Sequence, residues 1–268
     1  AYGTILEPMS GITDLTGYED GPPVTATMAY GDPIAALSGA FAVLAALRYR
    51  QMTGKGQFIE FAQVEGLMPL LGEAIMDYTM NGRVQRRMGN RHTSMAPHGV
   101  YRSKGDDKWI AIAIGSDEDW VRFRQAIGDP PWAQDPRFAD MIGRYRNQRE
   151  LDVLIETWTS EHDHYDAMRI LQTVGVAVGA VLSIDEFFVD PHVTARDMLE
   201  EVECPEVGRF KCRGMVAKLS KTPGHIRFAA PLFAQHNDYV FGELLALSQR
   251  QIEQLTAEGA IGTVPVMP

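Results

Sequence analysis

The sequence predicts an α/β chain: a helical segment, a smaller α+β domain, then a hairpin and closing helices. Three observations predict it. Residues 32–52 and 64–80 carry helical patterns of apolar and small side chains. Composition turns basic, polar and rich in helix breakers at Arg83. Beyond residue 99, short β-type runs alternate with amphipathic helix patterns. The boundaries are 1–82 for the helical segment, 83–99 for a loop or linker, 100–200 for the small α+β domain, and 201–268 for the hairpin and closing helices.

Residues 1–16 read as helical, with Leu6, Met9 and Ile12 at helical spacing. Gly17-Tyr18-Glu19-Asp20-Gly21-Pro22-Pro23 reads as a turn or loop, because its glycines and prolines break regular structure. Asp32 suits a helix N-cap and Pro33 the first helical position. The helix they open runs to about Met52. It has Ile34, Leu37, Phe41, Leu44 and Leu47 on one side and small residues almost everywhere else. A helix that is apolar or small all round is expected to be buried and closely packed. Residues 57–63 alternate as a short strand would, and a helix from Val64 to Met80 is stopped by Asn81-Gly82.

In the small domain, strands are expected at 99–102 and 108–114. Ser116-Asp117-Glu118 signals a helix start, and that helix runs through Ile127. Helices follow at about 137–159 and 161–174, a strand at 176–184, and two short helices from Asp185 to Val189 and from Asp190 to Leu199. Residues 200–222 read as a β-hairpin region, with helices near 236–246 and 248–258.

The 268 residues, 45% of them hydrophobic, suffice for a real core. A net charge of −10 argues against nucleic-acid binding, which needs clustered Lys and Arg, and leaves room only for local basic patches. No apolar run is read as approaching a membrane span, and nothing resembles a signal peptide, so a cytoplasmic location is expected. Cys204 and Cys212 flank a turn-like Glu206-Val207-Gly208-Arg209. Free thiols in a reducing cytosol are the expected state, with a local disulfide the minor alternative. Ala1-Tyr2-Gly3 leads straight into Ile5 and Leu6, which reads as a chain that begins inside a domain.

Several stretches, in order along nearly the whole chain, resemble the class III CoA-transferase family. They begin with Gly31-Asp32-Pro33 and its Ala-rich helix, Arg50, Thr53-Gly54-Lys55-Gly56-Gln57 and Glu65. Gly89-Asn90-Arg91-His92, Ala96-Pro97-His98-Gly99-Val100-Tyr101 and Leu171-Gln172 with Gly175-Val176 follow. Asp190-Pro191-His192, Ala195-Arg196, Leu219-Ser220, Thr222-Pro223 and Ala230-Pro231-Leu232 complete the series. Singly each is weak; together and in order they are specific. The resemblance implies the class III fold: the helical part of a Rossmann-like large domain plus a smaller α+β domain. It also implies an interlocked dimer, and corresponds to the later part of a longer family chain whose N-terminal portion binds CoA. A homo- or hetero-dimer with a chain or segment supplying that portion is therefore expected.

Family transferases use an aspartate nucleophile that forms a mixed anhydride and then an aspartyl-CoA thioester, splitting one hard displacement into easier ones. In the formyl-CoA transferases the nucleophile is read in a Gly-aromatic-x-Asp-Gly-Pro-Pro segment. Gly17 to Pro23 matches that pattern, which puts the role on Asp20 with Gly21 beside it. Read without the resemblance, Asp20-Gly21 is ordinary turn chemistry. The reaction needs no permanently bound cofactor: a coenzyme A thioester and a carboxylic acid are its substrates. In the racemase branch, an aspartate at Asp32 pairs with an upstream histidine. Tyr2 stands at that position and Gly3 at the acidic one after it, so the proton-transfer pair is broken and Asp32 reads as a cap. An acyl-CoA racemase using Asp32, and a non-catalytic subunit or fragment that completes a partner's site, are the alternatives.

The 83–99 loop matches the region where formyl-CoA transferases carry a mobile glycine run over the site. Here Gly89 and Gly99 bracket a polar loop with Asn90, Arg91, His92 and His98, a departure that puts oxalate and formate specificity in doubt. Gly89, Asn90, His92 and Gly99 are the candidate substrate-pocket residues. The loop either shields an acyl-enzyme from water or is an ordinary connection. His162-Asp163-His164 invites a metal reading, but two histidines two apart do not share a helix face, and no metal site is expected. Trp109, Trp120 and Trp158 read as packing.

Overall fold

The computed structural model describes residues 2–262 and 264. They divide into compact units at Val181/Leu182. The mixed α/β expectation is borne out, with many helices and two small antiparallel sheets among the described residues.

The first unit opens with α1 (Gly3–Ser10) and α2 (Ile12–Leu15), parted by Gly11 at φ 93°, a left-handed conformation that stops α1. Then comes α3 (Gly31–Thr53), closed by Gly54 at φ 73°. Its start corrects the expectation for Asp32. Tyr30 occupies the cap position, no side chain makes a cap bond, and Asp32 lies inside the first turn. The chain has already begun to wind there, since the Asp32 N–H bonds the Ala29 carbonyl at 3.1 Å. The expected burial of α3 is also corrected. Gly31 and Ala35 are buried, but Leu37, Phe41 and Leu44 are 74%, 75% and 65% exposed, because α1 and α4 cover only the start of the helix. This helix further corrects the membrane reading: its 23 residues reach a mean hydropathy of 1.2 over 18 residues, enough by length and composition to cross a bilayer. Its stripe of Ala, Ser and Gly equally suits close packing against protein.

Residues 57–62 are not a strand. They run without a sheet partner among the described residues, and without one an alternating segment has no ladder to join. The next helix is split into α4 (Gln63–Leu67), a 3₁₀ turn at Met68–Leu71 holding Pro69, and α5 (Gly72–Asn81). Proline lacks the N–H that a continuous α-helix would use there.

The rest of the unit is built on β1 (His98–Arg102), β2 (Trp109–Ala113) and β3 (Ala177–Val181), ordered β1-β2-β3 and antiparallel throughout. Around them lie α6 (Asp117–Ala126), α7 (Met141–Arg146), α8 (Gln148–Thr159) and α9 (His164–Thr173). Ser116 caps α6 as expected, its hydroxyl accepting from the Asp119 N–H. Asp163 caps α9, and His162 stacks on Trp158 with ring centroids 4.3 Å apart. Ile110, Ile112, Phe123, Phe138, Leu151 and Leu171 close a core around Trp120. Trp120 meets the packing expectation fully, while Trp109 and Trp158 are half-buried.

The second unit holds α10 (Ile184–Val189), started by a Ser183/Glu186 capping box, and α11 (Pro191–Ala195), with Pro191 in its first turn. β4 (Leu199–Cys204) and β5 (Gly208–Arg213) form the expected hairpin. Cys204 pairs with Gly208 and Cys212 with Glu200, so the thiols sit far apart along the ladder and both are free. A π-helical turn at Asp238–Leu244 and α12 (Gln249–Ala257) follow.

Candidate functional site

Two places in the first unit hold the aspartates singled out from the sequence, Asp20 and Asp32. One is a cavity between the 17–23 loop, the 83–99 loop and α8. The loop carrying Asp20 is a tight reversal: the Gly21 N–H bonds the Tyr18 carbonyl at 3.0 Å, and the Val24 N–H bonds the Thr16 carbonyl at 2.9 Å. Gly17 sits at φ 132°, and a Cβ there would lie 2.7 Å from the Pro22 carbonyl oxygen. The 83–99 loop docks on this reversal. The Gly89 N–H bonds the Gly17 carbonyl at 2.9 Å, and a Cβ on Gly89 would come within 2.8 Å of the Tyr18 ring.

The result is a cavity of about 480 Å³ lined by Asp20, Gly21, Asn90, His98, Gly99 and Asp152, among others. Four of the sequence-predicted residues thus share one cavity, and Gly89 supports it from the side. His92 does not join them; its ring lines a neighbouring groove, with Nδ1 accepting from the Ser94 N–H at 3.1 Å. Asp20 is exposed and its carboxylate makes no hydrogen bond or ion pair among the described residues.

Asp152 organises the wall of the cavity. Its carboxylate accepts from the Tyr101 hydroxyl at 2.9 Å and from Arg91 at 3.1 Å. Burial pushes the Asp152 carboxyl up from its ordinary range. Burial first, then the Asp152 charge, pushes the Tyr101 phenol well above its own. Arg144 is fully buried and holds the end of the loop: it donates to the Ala96 carbonyl at 2.9 Å, the Phe138 carbonyl at 3.1 Å and the Asp117 carboxylate at 2.7 Å. Sequence reasoning missed Asp152 and Arg144, since neither lies in a recognisable motif.

The neighbouring groove, about 870 Å³, is lined by Arg83, Arg86, Arg87, Arg91, Arg146 and Arg149 along with acidic and neutral residues. Arg83 pairs with Asp77, Arg87 with Asp14, Arg91 with Asp152 and Arg149 with Glu19. Arg86 and Arg146 have no ion-pair partner among the described residues. Hydrogen bonds from Arg83 foremost hold the Asp77 carboxyl at about 2, below its usual range. The groove is the local basic patch that the overall charge left room for.

The second place is the corner where α1 meets the start of α3. A Cβ on Gly3 would lie 2.6 Å from an Asp32 carboxylate oxygen and 2.5 Å from the Ala29 Cβ; one on Gly31 would lie 2.8 Å from Leu6. Only glycine lets the two helices approach this closely. Glu7, 2% exposed, accepts from the Tyr30 N–H at 2.7 Å and the Ala26 N–H at 3.1 Å, fastening the strap that leads into α3. The Asp32 carboxylate is exposed and makes no hydrogen bond or ion pair among the described residues. It stands at the N-terminal, positive end of a 23-residue helix. An acidic side chain at position 3 would have no room, and Tyr2 is 82% exposed, so no proton-transfer partner is assembled on Asp32 from these positions.

The sequence profile of CoA-transferase family III matches residues 1–237. The chain is 35% identical over 260 residues to the succinyl-CoA–D-citramalate CoA-transferase of Chloroflexus aurantiacus, covering 97% of this chain and 64% of that enzyme. It is 30% identical over 263 residues to the succinyl-CoA–L-malate CoA-transferase beta subunit of the same organism, covering 97% of this chain and 65% of that subunit. The chain therefore spans about two thirds or less of the length of these relatives. A crystal structure of a CAIB/BAIF family protein from Brucella suis superposes with a TM-score of 0.81 at 28% identity, covering 91% of this chain and 63% of that one.

Proposed function

This chain belongs to CoA-transferase family III, and from that premise we propose that it takes part in moving coenzyme A between carboxylic acids through a covalent aspartyl intermediate. An aspartate oxygen attacks the donor thioester carbon and expels CoA thiolate, leaving a mixed anhydride. The thiolate attacks the aspartyl carbonyl, releases the donor acid and leaves an aspartyl-CoA thioester. The acceptor carboxylate attacks that thioester and again expels CoA thiolate. The thiolate then takes the acceptor acyl group and the aspartate is regenerated.

The observation that carries the reading is Asp32. Its carboxylate does no capping, abuts Gly3 at the close α1/α3 corner, and belongs to the first turn of α3, whose positive end favours its ionised, nucleophilic form. A nucleophile held this way needs little reorganisation. Asp20 is the second reading, supported by the segment Gly17 to Pro23 and by its free carboxylate in the cavity with Asn90 and Gly99. Incubation with succinyl-CoA followed by hydroxylamine or borohydride trapping tests the two by mass spectrometry. The expected adduct is on Asp32. An adduct on Asp20 transfers the role there. No adduct, together with solvent deuterium at the substrate α-carbon, points to a racemase; neither adduct nor exchange points to a non-catalytic part of a partner's site.

Under the Asp20 reading, the arginine groove beside that cavity supports acids with a second anionic group as substrates, in keeping with the citramalate and malate named for its relatives. Transfer from succinyl-CoA is expected to exceed that from acetyl-CoA, with the excess shrinking as salt rises. The exposed apolar side chains of α3 support association with a second chain. Light scattering on the full-length protein is expected to give a dimer.

A further inference from the structure

We infer that Glu7 is a positioning residue for the Asp32 carboxylate, an inference that rests on Asp32 as nucleophile. Glu7 is 2% exposed, and both of its carboxylate oxygens are spent on backbone: one accepts the Tyr30 N–H at 2.7 Å, the other the Ala26 N–H at 3.1 Å. Each N–H meets a different oxygen of the side chain, so as placed both terminal atoms must be acceptors. A carboxylate supplies them, and an amide supplies one acceptor and one donor.

The strap so anchored is the approach to the nucleophile. Tyr30 stands two residues before Asp32, and the Asp32 N–H bonds the Ala29 carbonyl inside the same strap. Gly3 abuts Ala29 and the Asp32 carboxylate, while Gly31 abuts Leu6 on α1, the helix that carries Glu7. The aspartate is thus referred to α1 through two glycine contacts and one buried carboxylate. Of these, Glu7 alone uses directional, charge-assisted bonds. Because misplacement of a reacting group by about 1 Å costs on the order of 10²-fold in rate, the fastening acts on turnover more than on substrate binding.

The test compares full-length wild type, Glu7→Gln and Glu7→Ala with succinyl-CoA as donor and succinate as acceptor. Active sites are titrated by the trapped aspartyl adduct. Turnover per titrated site is expected to fall roughly tenfold in Glu7→Gln and about 10²-fold in Glu7→Ala, with KM for succinyl-CoA within about twofold. The adduct stays on Asp32 but forms more slowly, and Glu7→Gln alone carries the test where Glu7→Ala does not fold. A lowered melting temperature and fewer titratable sites, with turnover per site unchanged, would make Glu7 a structural residue only and overturn the inference. An adduct on Asp20 in the wild type overturns the Asp32 reading itself, a failure separate from the first.

Discussion

The helical segment up to Asn81 and the sheet layer from His98 to Val181 are both rich in apolar residues, yet they use them in opposite ways. In the sheet layer, Ile110, Phe123, Phe138, Leu151 and Ile155 are fully buried around the face of β2. In the helical segment, Leu37, Phe41, Leu44 and Phe58 are largely exposed, and few side chains there are fully buried. The sheet layer is a finished core. The helical segment buries Leu6, Gly31, Ala35 and Leu67 where α1, α3 and α4 meet, at the corner that holds Asp32. Apolar patterning reports that a surface is meant to be covered; it does not report which chain covers it.

Phe123→Ala probes this contrast with the largest expected effect. Emptying a fully buried site in the sheet layer is expected to cost about 3–5 kcal/mol in urea unfolding. Arg144→Met comes next. It leaves the Ala96 and Phe138 carbonyls without their donor, while Asp117, half-exposed, regains water. A loss of about 2–4 kcal/mol is expected, with faster proteolysis of the 83–99 loop. Asp77 gives a smaller, pH-dependent effect. Its folded pKa of about 2 lies below the ordinary 3.8, so the folded chain binds fewer protons. The stability it contributes is present above about pH 4 and is lost as pH falls toward 2. Asp77→Asn is expected to flatten that part of an acid-unfolding curve. Phe41→Ala closes the series: within about 0.5 kcal/mol in the unfolding of the chain itself, but weaker self-association by analytical ultracentrifugation. A cost there comparable to that of Phe123→Ala would erase the contrast.

The sheet layer was the more legible half. Its strands, the Ser116 cap and the helix through Ala126 follow from alternation and capping chemistry, because the signals and their partners lie close in sequence. The helical segment was legible in its elements and not in its exposure. A uniformly apolar helix looks the same whether its cover lies in its own chain or in another. Asp32 was misread for a related reason: Asp-Pro is a common helix opening, and only the backbone shows that the helix begins at Gly31, before the aspartate. The loop pocket was partly legible. Gly89, Asn90 and Gly99 stood in recognisable motifs, whereas Glu7, Asp152 and Arg144 act through contacts far from them in sequence, beyond the reach of any local pattern.

Asp152 has one more consequence. A single carboxylate secures Arg91, inside the 83–99 loop, and Tyr101, on the strand just after it. Two fasteners that share an anchor do not fail independently. A displacement of the Asp152 side chain therefore breaks the Arg91 and Tyr101 contacts together, while the Gly89 bond to Gly17 and the Arg144 bond to Ala96 keep the loop docked.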